Sequence, residues 1–267
     1  MKAKTEELLH MVFWACDTYL HPSFRYLDES FESWAYRHGL LRQVQRLEAR
    51  KWLEHEEDEK GDRLHRLTEA GRLQALGGRD PDACWRRRWD GLWRLALFDV
   101  PEARSGTRNR LRRYLRSRGF GYLQNSVWIT PDALELERNL LSDDPVDVES
   151  LLLLEARPGA GESDEEIVAG AWDFDRINEL YEKHREILTR RPRRRIGTEA
   201  AAKAFRAWLG REREAWKEVM ERDPLLPEVL LPPGYAGREA WARRLSILRE
   251  AGQQMRQFKL AGSRDNK

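Results

Sequence analysis

Cysteine is scarce in this chain: 267 residues hold two, Cys16 and Cys84. Two thiols so far apart make no disulfide framework and lack metal-ligand spacing, which excludes the disulfide-stapled secreted scaffolds. Long apolar runs are missing as well. Runs such as Leu151 to Leu154 fall far short of the roughly 20 residues that span a bilayer. The first ten residues, MKAKTEELLH, put Glu6, Glu7 and His10 where a signal peptide needs its apolar stretch, so a cytoplasmic protein without a membrane partner is expected. No charge of one sign dominates either. Forty-eight Lys+Arg against 46 Asp+Glu leave a formal net charge of +2, so a surface for nucleic acid has to be local. What the chain does have is 40% hydrophobic and 35% charged residues with eleven tryptophans, the mix of a globular protein with several small aromatic cores.

The pattern along the chain predicts an α+β protein in three parts: a winged helix-turn-helix over 1–80, a ferredoxin-like α/β sandwich over 85–190 and a helical domain over 196–262. In the first part, Leu8, Leu9, Val12 and Phe13 mark a helix over 5–18. Ser30 opens a short helix carrying Phe31, Trp34 and Ala35, closed by Gly39. LLRQVQRLEARKW follows at once, with Leu40, Leu41, Val44 and Leu47 as its apolar stripe. WLEH, the polar turn EEDEKGD and RLHRL then read as a hairpin with Leu53 and Leu64 inward, and Thr68 is placed to cap a closing helix. Two helices on a tight turn with a hairpin behind them make a winged helix-turn-helix. Arg37 to Lys51 holds five basic residues and one acid, Glu48, and Arg and Gln are the side chains that read guanine and adenine edges. The candidate DNA contacts are therefore Arg37, His38, Arg42, Gln43, Gln45, Arg46, Arg50 and Lys51, with Lys60 and Arg63 on a wing whose tip, Glu56 to Glu59, is otherwise acidic.

In the central part, LWRLALFDV reads as a buried strand ended by Pro101, and a helix runs from about Gly106 to Arg118 until Gly119 closes it. FGYLQNSVWIT reads as a second strand and VESLLLLEA as a later one, apolar enough for mid-sheet. Val168 to Leu188 reads as a further helix. Arg104 to Arg118 carries seven arginines and no acid, while residues 143–166 carry nine acids against Arg157. Arg108, Arg112 and Arg116 recur every four residues and form one stripe. That stripe either meets an external anion, a phosphate or an effector, or is neutralised by the acidic stretch. In the last part, Thr198 opens a long helix to about Arg222, DPLLPEVLLPPGYAG is a proline-punctuated connection with buried leucines, and Arg238 to about Phe258 forms the final helix.

The order of these motifs carries a resemblance. A winged helix, then W-D-G-L-W-R-L-A-L-F-D-V-P-E, R-L-R-R-Y-L-R-S-R-G-F, S-V-W-I-T-P and the late R-D-P-L-L-P-E-V-L-L-P-P-G-Y-A-G resembles the PaaX family of bacterial transcriptional repressors, over nearly the whole chain. The resemblance implies a homodimer on double-stranded operator DNA, released by a small effector, typically an aryl acyl-CoA. It also implies a middle domain related to the ferredoxin-like subunit of CRISPR adaptation. The family usually has Trp before its final glycine where Tyr235-Ala236-Gly237 stands here, and an arginine is common where Leu41 stands.

Catalysis has little to stand on. There is no G-x-S-x-G, no G-x-x-x-x-G-K-[ST] and no G-x-G-x-x-G, and the six histidines show no ligand spacing. Asp99, at the end of the first central strand, is the one candidate metal ligand; the alternative is that it caps the following turn. A regulator without a cofactor is expected. The competing reading is a metal-dependent nuclease or CRISPR-associated factor built on the central domain.

Overall fold

The computed structural model describes residues 41–57, 63–99, 105–124, 126–134, 150–159, 161–192 and 199–262. The helices expected over 5–18 and up to Gly39 lie outside them. The fold is mixed α and β, with eight α-helices and two antiparallel sheets among the described residues. Two compact units emerge. One comprises residues up to Asp80 together with Arg185–Glu214 and the chain from Glu239; the other comprises Pro81–His184 with Ala215–Arg238.

In the first unit, α1 (Leu41–Ala49) buries Val44 and Leu47, three residues apart, and exposes Arg42, Gln45 and Arg46 on the opposite side. It ends where Lys51, at φ 56°, turns left-handed: Trp52 N–H bonds Leu47 C=O at 2.9 Å and Lys51 N–H bonds Glu48 C=O at 2.8 Å. This is the six-to-one and five-to-two pattern of a Schellman cap, built here without glycine. Strands β1 (Leu53–Glu57) and β2 (Arg63–Leu67) form the hairpin. Its register pairs Leu53 with Leu67 and His55 with His65, and sets Leu64 opposite Glu56. The inward partner of Leu53 is thus Leu67 and not Leu64; the two-residue pleat decides it. Thr68 caps α2 (Glu69–Leu76) as expected, accepting from Gly71 N–H at 3.0 Å and donating to Lys51 C=O at 2.7 Å. Gly71 is there for closeness: a Cβ would sit 2.0 Å from the Trp52 carbonyl oxygen.

The second unit opens with a short helix the sequence pattern did not suggest, α3 (Pro81–Arg86). Its sheet runs β4 (Gly121–Gln124), β5 (Val127–Thr130), β3 (Trp93–Asp99), β6 (Ser150–Ala156), antiparallel throughout. Helix α4 (Ser105–Ser117) connects β3 to β4, so β3 and β4 run parallel with β5 between them. That is the split β-α-β arrangement, with the strand order of a ferredoxin-like sheet. Two expectations are corrected. FGYLQNSVWIT is two strands in a hairpin, because Gln124 pairs with Val127. Among the described residues β6 is an edge strand and not a central one: it pairs with β3, and Leu152 and Leu154 are exposed on one face while Leu153 packs inward on the other. The core between α4 and the sheet is Ala96, Phe98, Leu111, Leu115, Phe120 and Trp128.

Val168 to Leu188 is likewise not one helix. α5 (Asp164–Ala171) stops at Trp172, and α6 (Phe174–Thr189) restarts with Asp173 accepting from Arg176 N–H at 2.9 Å. Trp172 breaks the run because its ring is wanted elsewhere: its Nε1 donates to Gly119 C=O at 3.1 Å, and a Cβ on Gly121 would lie 2.7 Å from it. α7 (Glu199–Met220) and α8 (Gly237–Gly262) are the long C-terminal helices, with a 3-10 turn at Glu228–Leu230 between them. The proline-punctuated stretch buries Leu225, Leu226 and Leu230 as expected, though Val229 is 76% exposed.

Candidate nucleic-acid interface

The candidate contacts do not share one environment. Arg42, Gln45 and Arg46 stand exposed on one face of α1, at the i, i+3, i+4 spacing that projects side chains together. Arg50 and Lys51 continue that face past the helix end. Both are exposed, and the Arg50 guanidinium lies 4.9 Å from the Trp52 ring centroid. Gln43 differs: it is half-buried with its amide oxygen turned inside, so it faces the unit's interior more than a groove. Arg63 opens β2 opposite Glu57. Arg37, His38 and Lys60 lie outside the described residues. Strand β1 is unsuited to phosphate. Glu54, Glu56 and Glu57 are exposed, and Arg66, the cation among them, is held by Glu54 at 2.8 Å and Glu56 at 3.3 Å.

Behind α1 lies a cluster that the linear spacing hid. Glu48 Oε1 is 3.0 Å from His55 Nδ1 and 3.2 Å from His65 Nε2, and the three donor atoms lie within 4.8 Å of one another. His55 and His65 are ten residues apart, a separation that matches no ligand motif. The hairpin register makes them direct cross-strand partners, and that register was the signal that would have found them.

The arginine stripe is partly structural. Arg116 stacks over Trp128, 5.5 Å from its ring centroid; Arg108 and Arg112 are half-buried. Described acids of the 143–166 stretch have work elsewhere. Glu155 pairs with Arg94 at 3.3 Å, Asp164 accepts from Trp93 Nε1 at 2.8 Å, and Glu166 closes a capping box with Ser163. The W-D-G-L-W-R motif is explained by the same unit. Asp90 grips the buried Arg94 through two hydrogen bonds of 2.8 and 2.5 Å, and Trp89 Nε1 bonds Leu92 C=O at 3.0 Å. The Arg94 guanidinium holds the Asp90 carboxyl down at about 2. Asp99, the weak metal candidate, ends β3 opposite Ser150; its side chain lies outside the described set.

Tyr235 replaces the tryptophan usual in the resembled motif, and its hydroxyl has a definite place. Asp223 accepts from Tyr181 and Tyr235, each at 2.5 Å, while Trp85 Nε1 donates to Tyr235 at 3.2 Å. Burial, with the Asp223 charge behind it, pushes both tyrosine hydroxyls above their ordinary range. Next to this network a pocket of about 290 Å³ is lined by Asp82, Trp85, Arg86, Glu228 and Arg238, with Glu228 and Arg238 ion-paired. No helix among the described residues is long and apolar enough to cross a membrane.

Residues 86–168 match the model of the PaaX protein central Cas2-like domain, and residues 172–259 that of the PaaX-like protein C-terminal domain. No curated protein matches the chain. Among solved structures it is similar to the uncharacterized protein Rv0674 from Mycobacterium tuberculosis, at 20% identity and a TM-score of 0.51, over 94% of this chain and 100% of that one. At that identity the likeness is one of fold.

Proposed function

The chain belongs to the PaaX family, and from that premise we propose that it is a sequence-specific DNA-binding repressor in which α1 is the recognition helix. The observation that carries the reading is one face of α1. Arg42, Gln45 and Arg46 are exposed together on a helix whose other side is fixed by buried Val44 and Leu47, and such side chains make the bidentate contacts that distinguish bases. In this reading β1 and β2 are the wing of a winged helix-turn-helix, and the sheet of β3 to β6 belongs to a ferredoxin-like central domain.

The protein acts as a homodimer. Exposed Leu152 and Leu154 on the edge strand β6 support a self-association surface, and a two-fold dimer requires half-sites about one helical turn, or a multiple, apart. A small effector relieves repression. The pocket beside Trp85 sits at the low end of ligand-site volumes, so it suits part of an acyl-CoA and not the whole. The protein is a regulator and not an enzyme. Selection from a random duplex library followed by footprinting tests this reading: a near-palindrome is expected, whereas a single half-site or no enriched sequence counts against it. Incubation with magnesium or manganese should leave DNA and RNA intact, and cleavage abolished by Asp99→Ala would establish the nuclease reading instead.

A further inference from the structure

We propose that Glu48, His55 and His65 form a binding site for one divalent transition-metal ion of the zinc class, at the junction of α1 and the β1–β2 hairpin. The claim concerns the ion alone and stands whether or not α1 reads DNA. Three features of the cluster carry it. The first is geometry. Zinc bonds to imidazole nitrogen and carboxylate oxygen are about 2.0–2.1 Å, so adjacent tetrahedral ligands sit about 3.3 Å apart. Glu48 Oε1 lies 3.0 and 3.2 Å from the two histidine nitrogens, and all three donors fall within 4.8 Å. Two sides of the triangle already match that spacing, and drawing the two histidine nitrogens together from at most 4.8 Å completes the ligand set.

The second feature is chemistry. Two imidazoles and one carboxylate are a borderline donor set, suited to zinc, cobalt, nickel or copper and poorly to magnesium or calcium. Without an ion, the histidine nitrogens facing Glu48 can donate to its one oxygen. With an ion they present lone pairs, and in the neutral rings the proton sits on the other nitrogen. The third feature is graded access. The His65 side chain is 1% exposed, Glu48 24% and His55 38%, so the site has a floor, a wall and an open lip. A fourth position toward the His55 side is left for water. The other charged clusters are closed by comparison: Glu212 and Arg244 are sealed against each other, and Asp223 is engaged by two hydroxyls.

The positions of the ligands give the ion a structural consequence. Glu48 is in the last turn of α1, His55 is in β1 and His65 in β2. One ion therefore ties three elements that the sequence joins only through a turn and a hairpin loop, and it binds the folded arrangement alone, which raises thermal stability.

The test uses the full-length protein stripped with a chelator, titrated with zinc by calorimetry and with cobalt by visible absorption. One ion per chain at micromolar concentration is expected, with d–d bands of low-coordinate cobalt, no thiolate charge-transfer band, and a zinc-dependent rise in melting temperature. His55→Ala, at the exposed lip, should keep the far-UV circular dichroism of the parent while weakening binding at least about tenfold. Glu48→Gln should do the same, and neither variant should gain thermal stability from zinc. Binding seen only at millimolar zinc would overturn the proposal. So would affinity unchanged in both variants, or cobalt spectra dominated by thiolate bands from Cys16 or Cys84.

Discussion

Helices α1 and α4 are both rich in arginine and both end in the same hydrogen-bond pattern, yet they are finished differently. In α4, Phe120 N–H bonds Leu115 C=O at 3.0 Å and Gly119 N–H bonds Arg116 C=O at 2.9 Å, with Gly119 at φ 86°. That is the glycine a left-handed cap favours. In α1 the equivalent residue is Lys51 at φ 56°, a conformation that costs an L-residue about 1–2 kcal/mol. The arginines differ in the same direction. Arg116 lies over Trp128, whereas Arg42 and Arg46 stand exposed on α1, where the ring contact belongs to Arg50 past the helix end. α4 is finished for stability. α1 keeps a cation where glycine would be easier, which fits the DNA-reading role proposed for it.

The largest effect that sharpens this contrast comes from two glycines. Gly71→Ala brings a Cβ to 2.0 Å from the Trp52 carbonyl, where only backbone can yield. A loss near the top of the overpacking range, about 3 kcal/mol, is expected in denaturant unfolding. Gly106→Ala in the first turn of α4 meets nothing within 4 Å and should instead stabilise by up to about 1 kcal/mol. If Gly71→Ala is neutral or stabilising as Gly106→Ala is expected to be, the α1–hairpin junction is not as tight as described.

Binding measurements come next. Arg42→Ala or Arg46→Ala should cost about 1–3 kcal/mol on the selected sequence and much less on random DNA. Arg116→Ala should lower the melting temperature through the lost cation–π contact, worth about 0.5–1 kcal/mol, with DNA affinity unchanged. An Arg116 variant that loses DNA affinity with its stability intact would move the anion-binding role to α4.

Lys51→Gly separates the two terms within one residue. Relief of the left-handed strain should raise stability by about 1 kcal/mol, less whatever Lys51 contributes beside the negative end of the helix. Loss of one cation should weaken all DNA sequences alike and make the salt dependence shallower by about one unit. A Lys51→Gly protein that is less stable than its parent would show that the lysine is structural.

Local pattern made the first-order features legible. Val44 and Leu47 marked the inner face of α1, Thr68 the N-terminal cap of α2, and Gly119 the end of α4, because each signal acts within a turn. What failed was pairing. Leu67 and Leu64 are equally plausible partners for Leu53 until the register is known, and His55 meets His65 only through that register. The run Leu151–Leu154 looks like a strand in mid-sheet, but a run cannot say that, among the described residues, it has one neighbour. The break at Trp172 is of the same kind: local periodicity favours one helix, and a distant bond to Gly119 divides it. Within the candidate interface, the composition of α1 pointed to the exposed cations, while the inward turn of Gln43 came from packing.

The smallest expected effect concerns the arginine clasps, one in each unit. Arg72 hydrogen-bonds Glu69 and holds its carboxyl below the ordinary range; it also reaches Asp80 at 2.9 Å. Arg94 holds Asp90 at about 2. A carboxylate depressed in the folded state adds stability above its unfolded pKa and loses it as pH falls through the folded value. For Asp90 that window runs from about 4, the ordinary carboxylate range, down to about 2. Its side chain is 50% exposed, so solvent screens the pair and the contribution stays below about 1 kcal/mol. Unfolding midpoints in urea at pH 5, 4, 3 and 2 should therefore fall less steeply in Asp90→Asn than in the parent, with the divergence largest between pH 4 and 2. Glu69→Gln should flatten the upper part of the same limb, because Glu69 is less depressed. Identical acid limbs in Asp90→Asn and the parent would mean that Arg94 is held by Glu155 and by the Leu92 and Pro131 carbonyls without help from Asp90. The W-D-G-L-W-R motif would then owe its aspartate to the turn, through the bond from Leu92 N–H to Asp90 at 3.0 Å.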